Sequence, residues 1–498
     1  MLSRTLGMLT VAGAAAAGCM AGPDFRPPAP PDVSDYTPQP LPAQTAAAPV
    51  AGGEAQRFVH GARVPAQWWR LFESDALDRL VREAFAHNPT LAAAQATLRQ
   101  AQQVLRSRTG LLYLPAVDGS LAVARQRPAI ARFGLPDVRA GVFTLYNASV
   151  DVSYDVDAAG GLRREIESLE AQVDYQTYQL EAAYLTLAGN VVTSALAEAS
   201  LRAQIQATRE ILQATENQLA IVERQLEIGA IARTDLLTQR TEAAQLRARL
   251  PLLEQELAAA RHQLAVYLGR LPAAAELPAF TFAGFALPTE LPLSLPSALV
   301  RQRPDIRAAE ALLAAASAEI GVATANLYPQ LTLTGAWGSE ATETDRLFRS
   351  GTRFWSVGAS LLAPLFRAGE LRALREAAVA AFEAAAAEYR DTVLNAFRDV
   401  ADVLRALETD ARALAQQQAA FEASEEALAL LRRQYRAGAA SYLQLLDAQR
   451  QFQETRIALI QAQARRFADT AALFQALGGG WWNPPPPGAR PVAAGGGS

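Results

Sequence analysis

Gly160-Gly161-Leu162-Arg163 opens a long helical stretch that reaches Gly229 and then Asp235-Leu236-Leu237, and Gly369-Glu370-Leu371-Arg372 opens a second that reaches Gly438 and then Gln444-Leu445-Leu446. Each landmark lies 209 residues from its counterpart. A unit this long, repeated once and carrying few strands, reads as a piece of a symmetric assembly. Within the first copy, apolar residues recur at Leu162, Ile166, Leu169, Val173, Leu180, Ala183, Leu187 and Val191. Those steps of three and four average the coiled-coil period. Proline-free sequence from 162 to 227 allows a rod of about 100 Å at 1.5 Å per residue. Gly229 is placed to end it as a left-handed cap, and Thr234 to cap a returning helix that runs to about Leu268. The second copy repeats the plan, with a helix over 370–436, Gly438 at the stop, Ser441 as cap and a return to about 476. Pro251 sits inside the first return helix and should kink it alone, since the second has Ile460 there.

Strand signals are few. Tyr146, Ala148, Val150, Val152, Tyr154 and Val156 alternate with Asn147, Ser149, Asp151, Ser153, Asp155 and Asp157. This period-two pattern has the length of an outer-membrane barrel strand, apolar toward lipid and polar toward a lumen. Val117–Arg127 is a weaker partner, and Leu331, Leu333 and Trp337, then Trp355, Val357, Ala359 and Leu361, mark two more strands. The connections near 128–141 and 340–352 are then the exposed loops. Asp151, Asp155 and Asp157 would make the polar face electronegative, and Tyr146, Tyr154, Trp337 and Trp355 suit membrane interfaces. Four strands cannot close a barrel, for which about eight is the minimum, and an open edge is forbidden in lipid. Other copies of the chain must complete the sheet.

Composition narrows the function. Of 498 residues 50% are hydrophobic and 19% charged, and the net charge of −4 provides no basic footprint for nucleic acid. The three histidines are scattered and no metal-ligand spacing or catalytic constellation occurs, so neither a cofactor nor an enzyme is expected. Met1–Ala17 reads as a secretory signal, and Ala16-Ala17-Gly18-Cys19 as a lipoprotein cleavage box that makes Cys19 the acylated first residue. Met20 after it carries no inner-membrane retention signal. The expected divisions are a signal peptide at 1–18, a lipid-anchored extended segment at 19–75, a first repeat at 76–271, a linker at 272–296, a second repeat at 297–477 and a Pro/Gly-rich tail at 478–498. The proline-rich residues 20–66 read as a tether with no core of its own, and the tail as disordered.

Four short stretches in order complete the reading. They are Cys19-Met20-Ala21-Gly22-Pro23-Asp24-Phe25; Trp68-Trp69-Arg70-Leu71-Phe72; Arg303-Pro304-Asp305-Ile306 with Tyr328-Pro329; and Tyr435-Arg436-Ala437-Gly438 with Leu445-Leu446-Asp447-Ala448-Gln449-Arg450. On this duplicated frame the chain resembles the outer-membrane factor family, the TolC- and OprM-like efflux channels, and most closely their lipoprotein branch. The resemblance implies a mainly α fold with a small β part: long antiparallel helical hairpins below four membrane strands per chain, three chains closing one twelve-strand barrel. It implies a passive exit channel for small amphipathic compounds, lipid-anchored in the bacterial outer membrane, that meets a periplasmic adaptor and an inner-membrane pump of the RND type. The turns Gly229–Thr234 and Gly438–Ser441 would be the adaptor-docking tips. Leu443 and Asp447 would form the periplasmic gate, with Gln444 where a second acid stands in TolC-like chains. Arg224, Arg233, Arg432, Arg433 and Arg436 could hold a closed tip through inter-helix pairs. Two competing readings are a duct of the same fold for type I protein secretion or metal export, and a non-conducting coiled-coil lipoprotein scaffold.

Overall fold

The structure, a computed structural model, describes residues 20–127 and 141–483. Cys19, the loop at 128–140 and the tail from 484 lie outside the described residues. The chain divides into two compact units.

The first unit comprises Met1–Pro28, Thr97–Gln176 and Ala308–Tyr389. Its centre is an antiparallel sheet of β2 (Ala116–Gln126), β3 (Phe143–Val156), β5 (Gln330–Ala341) and β6 (Arg353–Leu362), in the order β2-β3-β5-β6. All four membrane strands expected from the alternation are present. Register carries the pattern across the sheet. The paired row Val117, Val152, Gly335, Val357 and the row Gly119, Val150, Trp337, Trp355 make one face apolar. The opposite face is polar and laterally bonded: Ser120 and Ser149 hydroxyls lie 2.8 Å apart, Thr332 donates to Asp155 at 2.7 Å and Asn147 to Glu340 at 2.9 Å. Trp337 and Trp355 stand 61% and 75% exposed on the apolar face. β2 and β6 are the two sheet edges, each with only one partner strand.

Asp157 does not belong to the polar strand face. β3 ends at Val156, and the Asp157 carboxylate turns back to accept the N–H groups of Leu162 at 2.9 Å and Arg163 at 3.0 Å. It caps α3 (Gly161–Glu227), whose free first-turn donors favour an anion over a solvated position. Beside it, the start of the described chain is seated on α3 and α6 (Pro304–Ala325). Arg164, 1% exposed, donates from Nε to the Ala21 carbonyl at 3.0 Å and pairs with Asp24 at 2.8 Å and Glu167 at 2.7 Å. Gly22 (φ +85°) presses on Gly321, where a Cβ would stand 2.4 Å from the Gly321 Cα. Only glycine meets both the left-handed backbone and that approach. Arg164→Ala should therefore release this segment, seen as faster chymotryptic cleavage after Phe25 in the folded protein. Unchanged cleavage would show that Gly22 packing suffices.

The second unit comprises Ala29–Ala96, Thr177–Arg307 and Arg390–Ser498. Its hairpins are the part of α3 from Thr177 on with α4 (Arg233–Tyr267), and the part of α7 (Glu370–Arg436) from Arg390 on with α8 (Tyr442–Ala476). These bounds match the sequence reading to within a residue or two, and α4 runs unbroken across Pro251. α1 (Asp75–His87), α2 (Pro89–Tyr113) and α5 (Pro296–Gln302) complete the helices. Aromatic rings dominate the core. Trp68 stacks on Phe474 at 5.5 Å, and Phe467 on Phe282 at 5.9 Å, with Phe72 and Phe285 around them. Burying Phe467 fully is worth about 3–5 kcal/mol by the usual cost of truncating such a ring to alanine.

Three segments read as irregular contribute to this core. The tether is not free: Phe58 and Val64 are buried, β1 (Arg57–His60) pairs in parallel with β4 (Glu290–Leu293), and the Gln56 amide bonds Thr470 at 2.9 Å. β4, Phe280, Phe282 and Phe285 all come from the stretch read as a linker. In the tail, Trp481 donates to the Gln302 carbonyl at 2.7 Å and Asn483 to that of Val64 at 2.9 Å. Proline density concealed scattered apolar anchors, and each gains a neighbour only from distant sequence.

Candidate gate and hairpin tips

Both hairpin turns are built alike. Gly229 and Gly438 each take φ +73°, the left-handed conformation that glycine adopts without a Cβ clash. Around each, two backbone bonds close a Schellman turn: Ala230 N to Gln225 O at 2.8 Å and Gly229 N to Leu226 O at 2.9 Å, then Ala439 N to Gln434 O at 2.9 Å and Gly438 N to Tyr435 O at 3.0 Å. A Cβ at either glycine would meet open space, so only backbone strain resists a side chain there.

The returning helices start differently. Ser441 caps α8 as expected and does so reciprocally: its hydroxyl accepts from Gln444 N at 3.3 Å, and the Gln444 side chain accepts from Ser441 N at 2.8 Å. Gln444 is thus a capping residue rather than only a missing acid. Thr234 is not a cap. α4 begins one residue before it, with Ala232 at the cap and no side-chain bond, and the Thr234 carbonyl accepts from the Thr238 hydroxyl at 2.9 Å. Ile231 packs with Leu236 across that start as a hydrophobic staple, and Asp235 supplies first-turn charge, so the helix begins earlier without a hydroxyl. Ser441→Ala should cost about 1 kcal/mol of tip stability, while Thr234→Ala should cost almost nothing. Hydrogen exchange at 442–446 and 234–238 would separate the two.

Leu443 (63% exposed) and Asp447 lie one turn apart on the exposed face of α8, with Gln444 beside them. The opposite face is fastened. Tyr442 and Leu446 pack with Val222 and Leu236, flanked by Tyr435 and Ile231. The Tyr442 hydroxyl donates to the Gln239 side-chain oxygen Oε1, the Gln239 side-chain nitrogen donates to Thr215 O at 3.0 Å, and the Tyr435 hydroxyl donates to Gln225 Oε1 at 3.2 Å. Burial, with Asp235 nearby, pushes both phenols above their ordinary pKa, so both stay protonated donors at neutral pH. Arg450 pairs with Glu242 at 3.0 Å and Arg456 with Glu210, each joining the second hairpin to the first. These ties escaped the sequence reading, which looked to other arginines. Of those, Arg436 donates to the Arg432 carbonyl at 3.2 Å, and burial beside Arg436 lowers the Arg432 pKa. The signal was present in the duplication: Tyr435, Tyr442 and Arg450 stand where the first copy has Leu226, Arg233 and Thr241.

Comparison with known proteins places this architecture. A family model described as outer membrane efflux protein matches residues 80–270 and 295–479. The pyoverdine export outer membrane protein OpmQ of Pseudomonas putida is 36% identical over 452 residues, covering 88% of this chain and 94% of that protein. The solvent efflux pump outer membrane protein SrpC of Pseudomonas putida is 29% identical over 93% of this chain and 95% of its own length. The solved outer-membrane channel OprN superposes with a TM-score of 0.82 at 28% identity, over 93% of this chain and all of that one. With its duplicated hairpins, its four-stranded sheet and this match over most of its length, the chain belongs to the outer membrane efflux proteins.

Proposed function

We propose that three copies of this chain form the outer-membrane exit duct of a tripartite efflux system, passing small amphipathic compounds from an adaptor and an inner-membrane pump to the outside. The observation that carries this reading is the sheet: apolar on one face, polar on the other, and unpaired at both edges. Lipid tolerates no open edge, so copies must close it around a polar lumen. No energy source is needed in the chain itself, because the pump supplies it.

The gate follows from the tip. Three copies of Leu443 around one axis would make an apolar constriction, and three Asp447 carboxylates a ring that favours cations. The fastened face of α8, through Tyr442, Leu446 and Arg450, would hold that ring shut. The turns Gly229–Thr234 and Gly438–Ser441 offer tight, exposed backbone for an adaptor. Cys19, acylated, would add a lipid anchor just ahead of the segment seated on Arg164. The export of pyoverdine named in the OpmQ description makes that compound one candidate cargo among small molecules.

The test is export in a host that lacks its own outer-membrane channel but keeps adaptor and pump. Expressing this chain should restore low accumulation of a fluorescent amphipathic cation, and a chain with both tip turns replaced by longer linkers should not. Accumulation unchanged by well-expressed wild type, across the main adaptor classes, would overturn the reading.

A further inference from the structure

The two copies of the repeat treat the junction between strand and long helix in opposite ways. In the first, the junction is closed by the chain itself. Asp157 caps α3, and Met20 sits against Gly160, with Cα and Cγ both 3.1 Å from where a Cβ would stand. In the second, Phe366 occupies the position of Asp157, Gly369 that of Gly160 and Ala373 that of Arg164. A Cβ at Gly369 would meet nothing within 4 Å. Leu365 and Phe366 are 95% and 87% exposed, on a turn where Ala368 and Gly369 both take positive φ (46° and 88°). A non-glycine residue held in that region marks a turn shape the surroundings must favour.

A second apolar pair lies at the other edge of the same sheet. Tyr113 and Leu114, just before β2, are 73% and 67% exposed. Both pairs sit at the helix end of the sheet, because β2 leaves that end and β6 returns to it. An edge of one copy that pairs with the opposite edge of the next must do so antiparallel, like every other pair in this sheet. That pairing brings the residues preceding Ala116 of one copy beside those following Leu362 of its neighbour. Exposure at this end is greatest at the two edges, above the 52% of Tyr328 before the central strand β5, as a neighbouring copy requires and lipid does not.

We propose that Leu365 and Phe366 of each copy pack on Tyr113 and Leu114 of the next, an apolar clasp that closes the barrel at its helix end and fills in the second repeat the place that the amino-terminal segment fills in the first. The clasp rests on the oligomeric duct reading and extends the edge pairing beyond the strands. It explains why the second repeat has an exposed Phe366 where the first has a capping acid, Asp157.

The experiment pairs Leu114→Cys with Phe366→Cys, and separately Tyr113→Cys with Leu365→Cys, in the full-length protein in membranes. A short bis-maleimide should convert each pair into dimers and trimers on denaturing gels, and each single variant should not. Native mass determination on the same preparations reports the assembly. Trimers that fail to cross-link with either pair overturn the clasp and leave the duct, as does cross-linking confined within one chain. Labelling of Phe366→Cys by a membrane-dissolved maleimide, without cross-links in the pairs, assigns the surface to lipid and also overturns the clasp. Particles that are not trimers overturn the assembly itself. Phe366→Asp should lower the temperature at which trimers dissociate, while Phe348→Asp, an equally apolar exposed site in the strand loop (74% exposed), should not.

Discussion

Cells carrying Leu443→Ala with Asp447→Ala are expected to become several-fold more sensitive to hydrophilic antibiotics too large to cross an intact outer membrane. The two side chains share the exposed face of α8 at the hairpin tip, and no contact of the hydrophobic tip cluster depends on them. Removing Leu443 should widen and wet the proposed constriction, and removing Asp447 should abolish the proposed ring's mutual repulsion and cation preference together. Neither change touches the capping box of Ser441 and Gln444, so the turn should keep its shape. The effect should exceed that of Arg450→Ala. That variant frees one partly exposed pair with Glu242, worth about 1 kcal/mol or less, and leaves the Tyr442 tie in place. Equal sensitivity of wild type and double variant, at equal surface expression, would place the gate elsewhere on the tip.

The second large effect lies far from the tip. Asp469 on α8 lies half-buried beside Asp410 of α7, and desolvation first, then the neighbouring carboxylate, pushes its pKa up to about 7. Arg466 and Arg465 oppose the shift only in part. Arg466 spends its guanidinium on the Leu407 carbonyl at 3.0 Å and the Thr45 hydroxyl at 3.1 Å, and Arg465 stands 3.7 Å from Asp410. An ordinary aspartate titrates near 3.9, so between about pH 4 and 7 the folded protein holds a proton that the unfolded chain has lost. Stability is then fully present below about pH 4, declines as pH rises toward 7 and is level above it. Three pH units correspond to about 4 kcal/mol at most. Asp469→Asn should remove this decline and melt several degrees higher than wild type at pH 8, with the two converging near pH 4. Thermal denaturation followed across that range would show it. Parallel curves for the two proteins would mean that Asp469 is ionised in the fold.

Periodicity made the long helices and the four strands legible, because each pattern runs for many residues and answers to one physical requirement. Gly229 and Gly438 were legible for a related reason, since a helix that must stop sharply uses the residue that tolerates positive φ. Thr234 misled because a hydroxyl near a helix start is a sufficient cap and not a necessary one; Ile231 and Leu236 had already set the entry. Asp157 misled because it continues the alternation of β3 by one residue, past the point where the backbone leaves the sheet. The parallel pair β1 and β4 was out of reach, being four residues each and joined across more than two hundred. The tip ties were hidden as pairwise contacts yet visible as departures from the duplication. Tyr442 and Arg450 differ from their counterparts, and their partners Gln239 and Glu242 likewise differ from Ala448 and Gln451 of the second copy.

Copies of this chain should enclose one water-filled duct through the outer membrane. Single-channel recording of the purified assembly in planar bilayers tests it most directly, with wild type beside Leu443→Ala plus Asp447→Ala. Wild type should give small, discrete, cation-preferring steps, and the variant much larger steps of reduced preference. Intact, membrane-inserted trimers of both proteins that never conduct would contradict it.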